Sequence, residues 1–207
     1  MKLYEIKAIK DYLKQFDFIK RATRVANNII ELNFNKDTSI YFDLTRGEST
    51  IYKTAPSKRV DFFNAPFDTK LNQLLSHSKI IDIVVPEDKV IIFKVKPQSK
   101  YKEKVINARF ELTGKYTNMI LTDENNMVIE ALHHIDSSKS YREVKPGVIL
   151  KELPPFKSKF TGVVEDVEAL LEQNYKTLYN KLLERAKTQK LNIISKKIEA
   201  IKKALFA

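Results

Sequence analysis

The stretch RFELTGKYTNMILTDENNMVIEALHHI, residues 109–135, decides how the second half of the chain is interpreted. Two apolar runs, Met119–Leu121 and Met127–Leu132, flank the turn-forming residues Asp123–Asn126, and this pattern predicts a β-hairpin. A polar block, Gly114–Asn118, interrupts the first arm with a glycine, a cation, a phenol, a hydroxyl and an amide. Since a half-buried strand favours apolar and β-branched residues, this block is a candidate functional site.

The composition indicates a folded and strongly basic chain. Of the 207 residues, 43% are hydrophobic, and 37 Lys and Arg residues outnumber 26 Asp and Glu residues, so the net charge is +11 at pH 7. This apolar content is sufficient for a globular core. The charge favours polyanionic partners, namely RNA, DNA or an anionic membrane surface. A general bias toward lysine explains the charge equally well.

Several classes of protein are disfavoured by what the sequence lacks. It contains no cysteine, so disulfides, thiolate metal sites and cysteine nucleophiles are excluded, and a reducing compartment is expected. Residues 1–16 alternate charged and apolar side chains and do not resemble a secretory signal. No apolar run approaches about 20 residues, the length that a membrane-spanning helix needs. We therefore expect a cytoplasmic protein without a membrane segment.

Hydrophobic periodicity predicts an α+β chain. Residues 3–16 form an amphipathic helix, and a second helix begins near Pro66. Alternating runs predict strands in the rest of the first 135 residues, and the segment 79–96 forms two of them around a tight turn. Its second arm is apolar on both faces, which is typical of a strand inside a sheet or sandwich. The first four predicted strands are 18–25, 28–34, 39–44 and 49–54.

Residues 137–160 lack periodicity and contain prolines, and we interpret them as an ordered surface strap. We expect two regions, an α+β domain at residues 1–160 and a helical segment at 161–207 that begins a coiled coil. A helix that packs on its own domain is the alternative. In the helical segment, the apolar residues recur at spacings of three and four: Leu191, Ile194, Ile198, Ile201 and Leu205.

The nine-residue step from Leu182 to Leu191 breaks this spacing and predicts a bend, a stutter or a new helix. The repeat covers barely two heptads, which is too short for an independent coiled coil. We therefore expect the segment to be the front part of a longer one.

The sequence lacks the common motifs of catalysis. It has no glycine-rich phosphate loop, no G-x-S-x-G and no H-E-x-x-H. Its adjacent histidines, His133 and His134, are predicted near a strand end, where neighbouring side chains point to opposite faces and do not readily chelate one metal ion. We expect a protein that is not an enzyme, with no cofactor and no metal.

The polar block resembles the motif of the NFACT N-terminal domain family, the tRNA-binding proteins of ribosome quality control (RqcH in bacteria, NEMF in animals). Older bacterial names call these proteins fibronectin-binding proteins. The family pattern is glutamate, leucine, any residue, glycine, a basic residue, His or Tyr, Ser or Thr, and asparagine before an apolar strand. The matching residues are Glu111, Leu112, Gly114, Lys115, Tyr116, Thr117 and Asn118.

Flanking segments extend the resemblance over residues 60–157, whereas the first 55 residues match only in outline. Asp88–Lys89 take the place of an Asp-Arg turn in the family. Arg142 with Pro146–Gly147 resembles the family's arginine followed by Pro-Gly, and Pro154–Pro155 resembles its closing double proline.

The resemblance implies a fold and a function. The fold is a β-sandwich flanked by helices, similar to the N-terminal domain of formamidopyrimidine-type DNA glycosylases. Those enzymes begin with a catalytic Pro-Glu, whereas this chain begins with Met1–Lys2, so their chemistry is not expected. The implied function is a non-enzymatic module that binds tRNA and the large ribosomal subunit (rRNA) and supports template-free C-terminal alanine tailing of stalled nascent chains.

This resemblance also implies a set of RNA-binding residues. We expect Lys115 to meet a phosphate, Tyr116 to stack on a base and Asn118 to read a base edge. Gly114 allows close approach of the backbone, and Lys89 lacks the planar fork of the arginine that it replaces. The full predicted set is Asp88, Lys89, Glu111, Gly114, Lys115, Tyr116, Thr117, Asn118 and Arg142.

Two other functions stay open at this stage. The first is a fibronectin- or fibrinogen-binding adhesion protein, following the older family name. The second is a nucleic-acid enzyme, which rests on fold analogy alone.

Overall fold

The computed structural model of the chain describes residues 1–35, 38–55, 62–86, 89–98, 104–138, 140–153 and 161–205, but not the side chain of Lys115. Within these ranges a helix is followed by strands, a second helix, further strands and a long C-terminal helix. The strands form two antiparallel sheets. The predicted α+β organisation is confirmed.

The first helix, α1 (Leu3–Leu13), forms because its apolar residues share one face. Leu3, Ile6, Ile9 and Leu13 lie at spacings of three or four and are all buried. The carboxylate of Glu5 accepts a hydrogen bond of 2.7 Å from the backbone N–H of Lys2, which satisfies one of the amides that a helix start leaves without a partner. The buried face of α1 closes one side of the core.

A four-stranded sheet follows as a meander in the order β2, β3, β4, β5. A short strand, β1 (Phe18–Ile19), precedes it but pairs with the other sheet. The predicted single strand at 18–25 is therefore wrong, because the chain passes from one sheet to the other at Lys20. The sheet consists of β2 (Arg21–Ala26), β3 (Ile29–Asn33), β4 (Ser39–Asp43) and β5 (Thr50–Lys53).

The second sheet has six strands in the order β1, β6, β7, β8, β9, β10. The predicted turn at residues 86–89 falls between β6 and β7, but its residues 87 and 88 lie outside the described part of the chain. The central strand β7 is buried on both faces as its sequence predicted. The strands are β6 (Ser78–Val84), β7 (Val90–Pro97), β8 (Ile106–Glu111), β9 (Asn118–Asp123) and β10 (Val128–Ala131).

Aromatic side chains join the two sheets into one core. The ring of Phe42 on β4 stacks on that of Phe110 on β8, with ring centroids 4.1 Å apart. Phe93 on β7 meets both rings edge-on, at 6.0 and 5.8 Å. The Phe42 ring comes from the four-stranded sheet, and the Phe93 and Phe110 rings come from the six-stranded sheet. The two sheets therefore pack face to face as in a β-sandwich.

The second helix, α2 (Pro66–Leu75), packs against β2 and covers the end of the core. Pro66 occupies the first turn, where its missing N–H costs nothing, and the carboxylate of Asp68 accepts a 2.8 Å hydrogen bond from the N–H of Ala65. At the other end, the hydroxyl of Ser76 accepts a 3.0 Å hydrogen bond from the N–H of Ala22. The helix thus has both termini fixed.

The polar block Gly114–Asn118 is not an insertion within one arm of a hairpin. It connects two complete strands, since β8 ends at Glu111, a 3₁₀ turn spans Gly114–Tyr116 and β9 begins at Asn118. The predicted hairpin itself is formed by β9 and β10. The block therefore lies at an end of the sheet, where loops that carry function are usually found.

The predicted strap packs on the second sheet over its described part. It forms isolated β-bridges between Met127 and Ile149 and between Ile135 and Val144. Val144 and Leu150 join a small apolar cluster with residues of β9 and β10. The strap is thus part of the folded domain as far as residue 153.

The C-terminal helix, α3 (Val167–Leu205), is a single helix of 39 residues. Of the three outcomes predicted between Leu182 and Leu191, a new helix is wrong, because α3 is continuous there. A stutter, which moves the apolar stripe around a helix without ending it, and a bend stay predictions. The first half packs on β5, where Leu171 is buried and the side-chain amide of Asn174 donates a 2.8 Å hydrogen bond to the carbonyl of Ile51. The described residues beyond Tyr179 are all exposed.

Among the described residues, no helix has the length and apolar character needed to cross a membrane.

Candidate nucleic-acid interface

A cleft of about 770 Å³ lies where α1, the β4–β5 turn, the polar block and α3 meet. Residues from all four elements line it, together with Lys89 at the start of β7 and Leu153 of the strap. The other lining residues are Met1, Lys2 and Glu5 of the N-terminal segment, Gly47–Thr50 of the turn, Leu112–Gly114 and Tyr116 of the block, and Asn174, Thr177, Leu178 and Lys181 of α3.

The 3₁₀ turn that borders the cleft depends on Gly114. Its φ is +70°, a conformation that residues with a side chain rarely adopt. The hydroxyl of Thr117 donates a 2.9 Å hydrogen bond to the carbonyl of Gly114 and so closes the turn. On the other side, Ser49 donates a 3.3 Å hydrogen bond to the carbonyl of Leu112. Gly114 and Thr117 therefore define the shape of the loop.

Asn118 anchors the end of this loop from within the protein. Its side chain is 1% exposed, and its carbonyl oxygen accepts hydrogen bonds from the N–H groups of Met119 and His133 at 2.9 and 3.0 Å. Its amide nitrogen donates a 2.8 Å hydrogen bond to the carbonyl of His133. With these partners Asn118 connects the start of β9 to the segment after β10, and its amide is not presented to a base edge.

Glu111 and Arg142 form a fully buried ion pair beneath the block. Both side chains have an exposure of 0%, and two parallel hydrogen bonds of 2.7 and 2.8 Å join the guanidinium to the carboxylate. Arg142 also donates through Nε to the carbonyl of Lys151 at 2.5 Å. The pair therefore fastens the strap to the end of β8.

A second arginine extends this network to the surface. The Nε of Arg109 lies 3.5 Å from the Glu111 carboxylate, and its Nη2 lies 3.0 Å from the exposed carboxylate of Glu152. A charge buried this completely is stable only with such partners. Glu111 and Arg142 support the loop, and the expectation that they contact RNA directly is corrected by their burial.

Three predicted residues lie on the cleft wall, namely Gly114, Lys89 and Tyr116. Lys89 and the half-buried Tyr116 both line the cleft, and the ring of Tyr116 meets that of Tyr141 edge-on at 6.3 Å between centroids. Asp88 and the side chain of Lys115 lie outside the described part of the chain. The structure thus brings Lys89, Gly114 and Tyr116 together at one surface and places Thr117, Asn118, Glu111 and Arg142 behind it.

The cleft has further charged residues that the motif did not indicate. Lys2 and Lys181 add positive charge, and Glu5 and Glu48 add negative charge. Hydrogen bonds from Arg185, and to a smaller extent from Lys181, lower the pKa of Glu48 from 4.5 to about 2. Its carboxylate is therefore ionised at neutral pH. No sequence signal marks Glu48, which lies in an ordinary turn 137 residues before Arg185.

No group of three or more acidic or histidine side chains in the described ranges is arranged to hold a metal ion.

Comparison with known families identifies the chain. The family model for the NFACT N-terminal and middle domains matches residues 19–200. The chain belongs to this family. The match covers both sheets and most of α3, so the resemblance first seen in residues 60–157 extends over nearly the whole sequence. Among curated proteins, none matches the chain.

Solved structures of similar fold come from streptococci and a staphylococcus. The N-terminal part of the fibronectin/fibrinogen-binding protein of Streptococcus suis has a TM-score of 0.67 at 20% identity, and the match covers 76% of this chain and 62% of that one. The N-terminal domain of the fibronectin-binding protein PavA of Streptococcus pneumoniae has a TM-score of 0.67 at 16% identity, with coverage of 90% and 81%.

The fibrinogen-binding protein of Staphylococcus aureus has a TM-score of 0.57 at 20% identity, and the match covers 76% of this chain and 58% of that one. This chain therefore spans less than two thirds of the length of the Streptococcus suis and Staphylococcus aureus structures. At these identities the likeness shows a common fold.

Proposed function

We propose that the chain is a non-enzymatic tRNA- and large-ribosomal-subunit-binding module of a ribosome quality-control factor, which acts in the cytoplasm and supports template-free C-terminal alanine tailing of stalled nascent chains. Membership of the NFACT family supports this proposal. The observation that carries it is the cleft, where a glycine-dependent loop, an aromatic ring and three lysines share one surface.

The chemistry of the cleft wall suits RNA. Ammonium groups such as those of Lys2, Lys89 and Lys181 bind phosphate oxygens, and a tyrosine ring stacks on an unpaired base. The turn at Gly114 has open space beside its Cα, which permits close approach of a nucleic-acid backbone. Asp88 and Lys115 complete the proposed contact set, whereas Glu111, Thr117, Asn118 and Arg142 hold the loop in position.

A charge substitution within the cleft tests this proposal. Lys89→Ala should weaken tRNA binding and reduce the slope of log affinity against log salt by about 0.7 to 0.9, the change expected for one lost phosphate contact. Lys79→Ala removes the same charge from the exposed face of β6 and is the matched control. Fluorescence anisotropy with labelled tRNA at four salt concentrations measures both quantities. An equal loss in the two variants would show that only net charge attracts tRNA.

A second candidate function is adhesion to fibronectin or fibrinogen, because the similar solved structures bear those names. This function predicts binding to immobilised fibronectin that persists at high salt, together with protease accessibility of the protein on intact cells. The tRNA proposal predicts neither result.

Two finer architectural expectations accompany the proposal. One is a likeness of the two-sheet domain to the N-terminal domain of formamidopyrimidine-type glycosylases. The other is a coiled coil formed by the exposed second half of α3, where Leu191, Ile194 and Ile198 are about half exposed or more. A helix with such an apolar stripe gains stability when a second helix covers it.

A further inference from the structure

One carboxylate at the edge of the cleft is held by two cations of α3. Glu48 lies in the β4–β5 turn, and its carboxylate accepts hydrogen bonds from both terminal nitrogens of Arg185, one of them at 2.9 Å. The ammonium of Lys181 lies 2.8 Å from the same carboxylate. Glu48 and Lys181 line the cleft, and Arg185 follows one helical turn beyond Lys181. Two cations four residues apart thus converge on a single anion.

This ion cluster is not required to attach α3 to the domain. Buried Leu171, the hydrogen bond from Asn174 to Ile51 and the contact of Tyr175 with Tyr52 already fix the helix on β5. The side chains of Lys181 and Arg185 are about half exposed, at 49% and 51%. Exposed ion pairs of this kind contribute little to stability. Replacement of the Glu48 carboxylate by another anion at this position should therefore change the stability of the fold little.

The geometry of the cluster suits a phosphate group. A guanidinium that holds a carboxylate through two parallel hydrogen bonds binds two phosphate oxygens in the same way. An ammonium beside it adds a second positive charge for the same anion. The carboxylate of Glu48 occupies the place where a phosphodiester group would meet both cations.

We propose that Lys181 and Arg185 form a phosphate-binding site at the edge of the cleft, and that Glu48 occupies this site until a phosphodiester of bound RNA replaces it. The site then contributes phosphate contacts to the proposed tRNA interface, on which this inference rests. Glu48 acts as an internal competitor that lowers the affinity for RNA. A polyanion without bases should displace Glu48 as well, because the site recognises only phosphate.

Removal of the competitor is the first test. Glu48→Gln should raise tRNA affinity about threefold relative to Glu168→Gln, since loss of an exposed ion pair releases a modest free energy. Glu168 is the matched control, because it also joins α3 to the sheet through a lysine, Lys53, but outside the cleft. Both variants change the net charge by the same amount. An equal gain in the two would attribute the effect to overall charge and overturn the proposal.

Removal of a cation is the reciprocal test. Arg185→Gln should lower tRNA affinity and reduce the salt slope by about 0.7. Lys187→Gln removes one charge from an exposed ion pair with Glu184 on the same helix and should change the slope less. Equal slopes for these two variants would contradict a phosphate site at Arg185.

A direct probe separates this inference from the proposed function. In NMR titrations with inorganic tripolyphosphate, the Nε–H resonance of Arg185 should shift, and it should do so at lower concentration in Glu48→Gln than in the wild type. If this occurs while tRNA does not bind, the phosphate site stands and the proposed function fails. If tRNA binds and the Arg185 resonance does not respond to tripolyphosphate, the phosphate site fails.

Discussion

At the residue scale, the motif around Gly114 combines two kinds of residue that the sequence alone does not separate. Gly114 and Tyr116 line the cleft, whereas Asn118 is enclosed by three hydrogen bonds. Both kinds belong to one short motif because a rigid loop needs internal anchors as well as exposed contacts. Substitution of an internal anchor should mainly lower the stability of the fold, whereas substitution of an exposed contact should mainly lower the affinity for RNA.

Substitution of Tyr116 and Asn118 should separate these roles. Tyr116→Leu, which keeps an apolar side chain against the cluster of Val90, Ile92 and Leu153, should lower tRNA affinity, since a base-stacking contact contributes about 1–3 kcal/mol, and should change stability less than Asn118→Ala. Asn118→Ala should destabilise the fold by about 1–3 kcal/mol, because it leaves buried backbone groups without partners. Urea unfolding and tRNA anisotropy on the same samples measure both. A stable Asn118→Ala protein that has lost tRNA binding would return Asn118 to the set of direct contacts.

The buried pair of Glu111 and Arg142 predicts a large stability effect. Arg142→Met removes the cation that donates both short hydrogen bonds to the buried Glu111 carboxylate, and a loss of about 3–5 kcal/mol is expected. The double variant Arg142→Met with Glu111→Leu should recover part of this loss, since it removes both charges. Lys145→Met, at an exposed lysine between Asp136 and Glu143, is the control and should have little effect. Denaturant midpoints that are equal for Arg142→Met and Lys145→Met would contradict a supporting role for the pair.

At the element scale, α3 completes the cleft because it lies along β5. Its residues Lys181 and Arg185 form ion pairs with Glu48 of the β4–β5 turn. The strength of that contact depends on pH. The folded pKa of Glu48 lies below its ordinary value, so the contact is fully present above pH 4.5 and is lost as the pH falls through about 2.

Carboxyl NMR of Glu48 should therefore show a titration near pH 2 in the wild type. In the double variant Lys181→Ala with Arg185→Ala, the pKa of Glu48 should return toward 4.5, because both cations that lower it are gone. A wild-type titration already near 4.5 would show that the cluster does not persist in solution.

Local sequence determined much of this architecture. The apolar spacing of α1 and α2 and the alternation in β6 and β7 were sufficient to predict these elements, since each buries one regular set of side chains. The crossing of the chain between sheets at Lys20 was not predicted, because it depends on packing partners far away in sequence. The burial of Arg142 was missed for the same reason: its partner Glu111 is 31 residues away. The sequence also left open whether α3 continues past Leu182.

At the scale of the whole molecule, two antiparallel sheets form the core, and one loop, one turn and one long helix at its edge surround the cleft. The scaffold is held by aromatic packing between the sheets, and the cleft is formed by exposed segments at its edge. This division suits a protein that positions an RNA without changing it. In the proposed function, the net charge of +11 attracts polyanions to the whole surface, and the cleft contributes the specific contacts.

The most direct test of this account is site-specific photo-crosslinking to tRNA. A benzoylphenylalanine residue at position 116, in the cleft, is compared with one at Ile81, an exposed position on β6 that does not line the cleft. The account predicts that tRNA crosslinks at position 116 and much less at position 81, at salt concentrations where the wild type binds. Crosslinks of equal yield at both positions, or none at position 116 while tRNA remains bound, would contradict it.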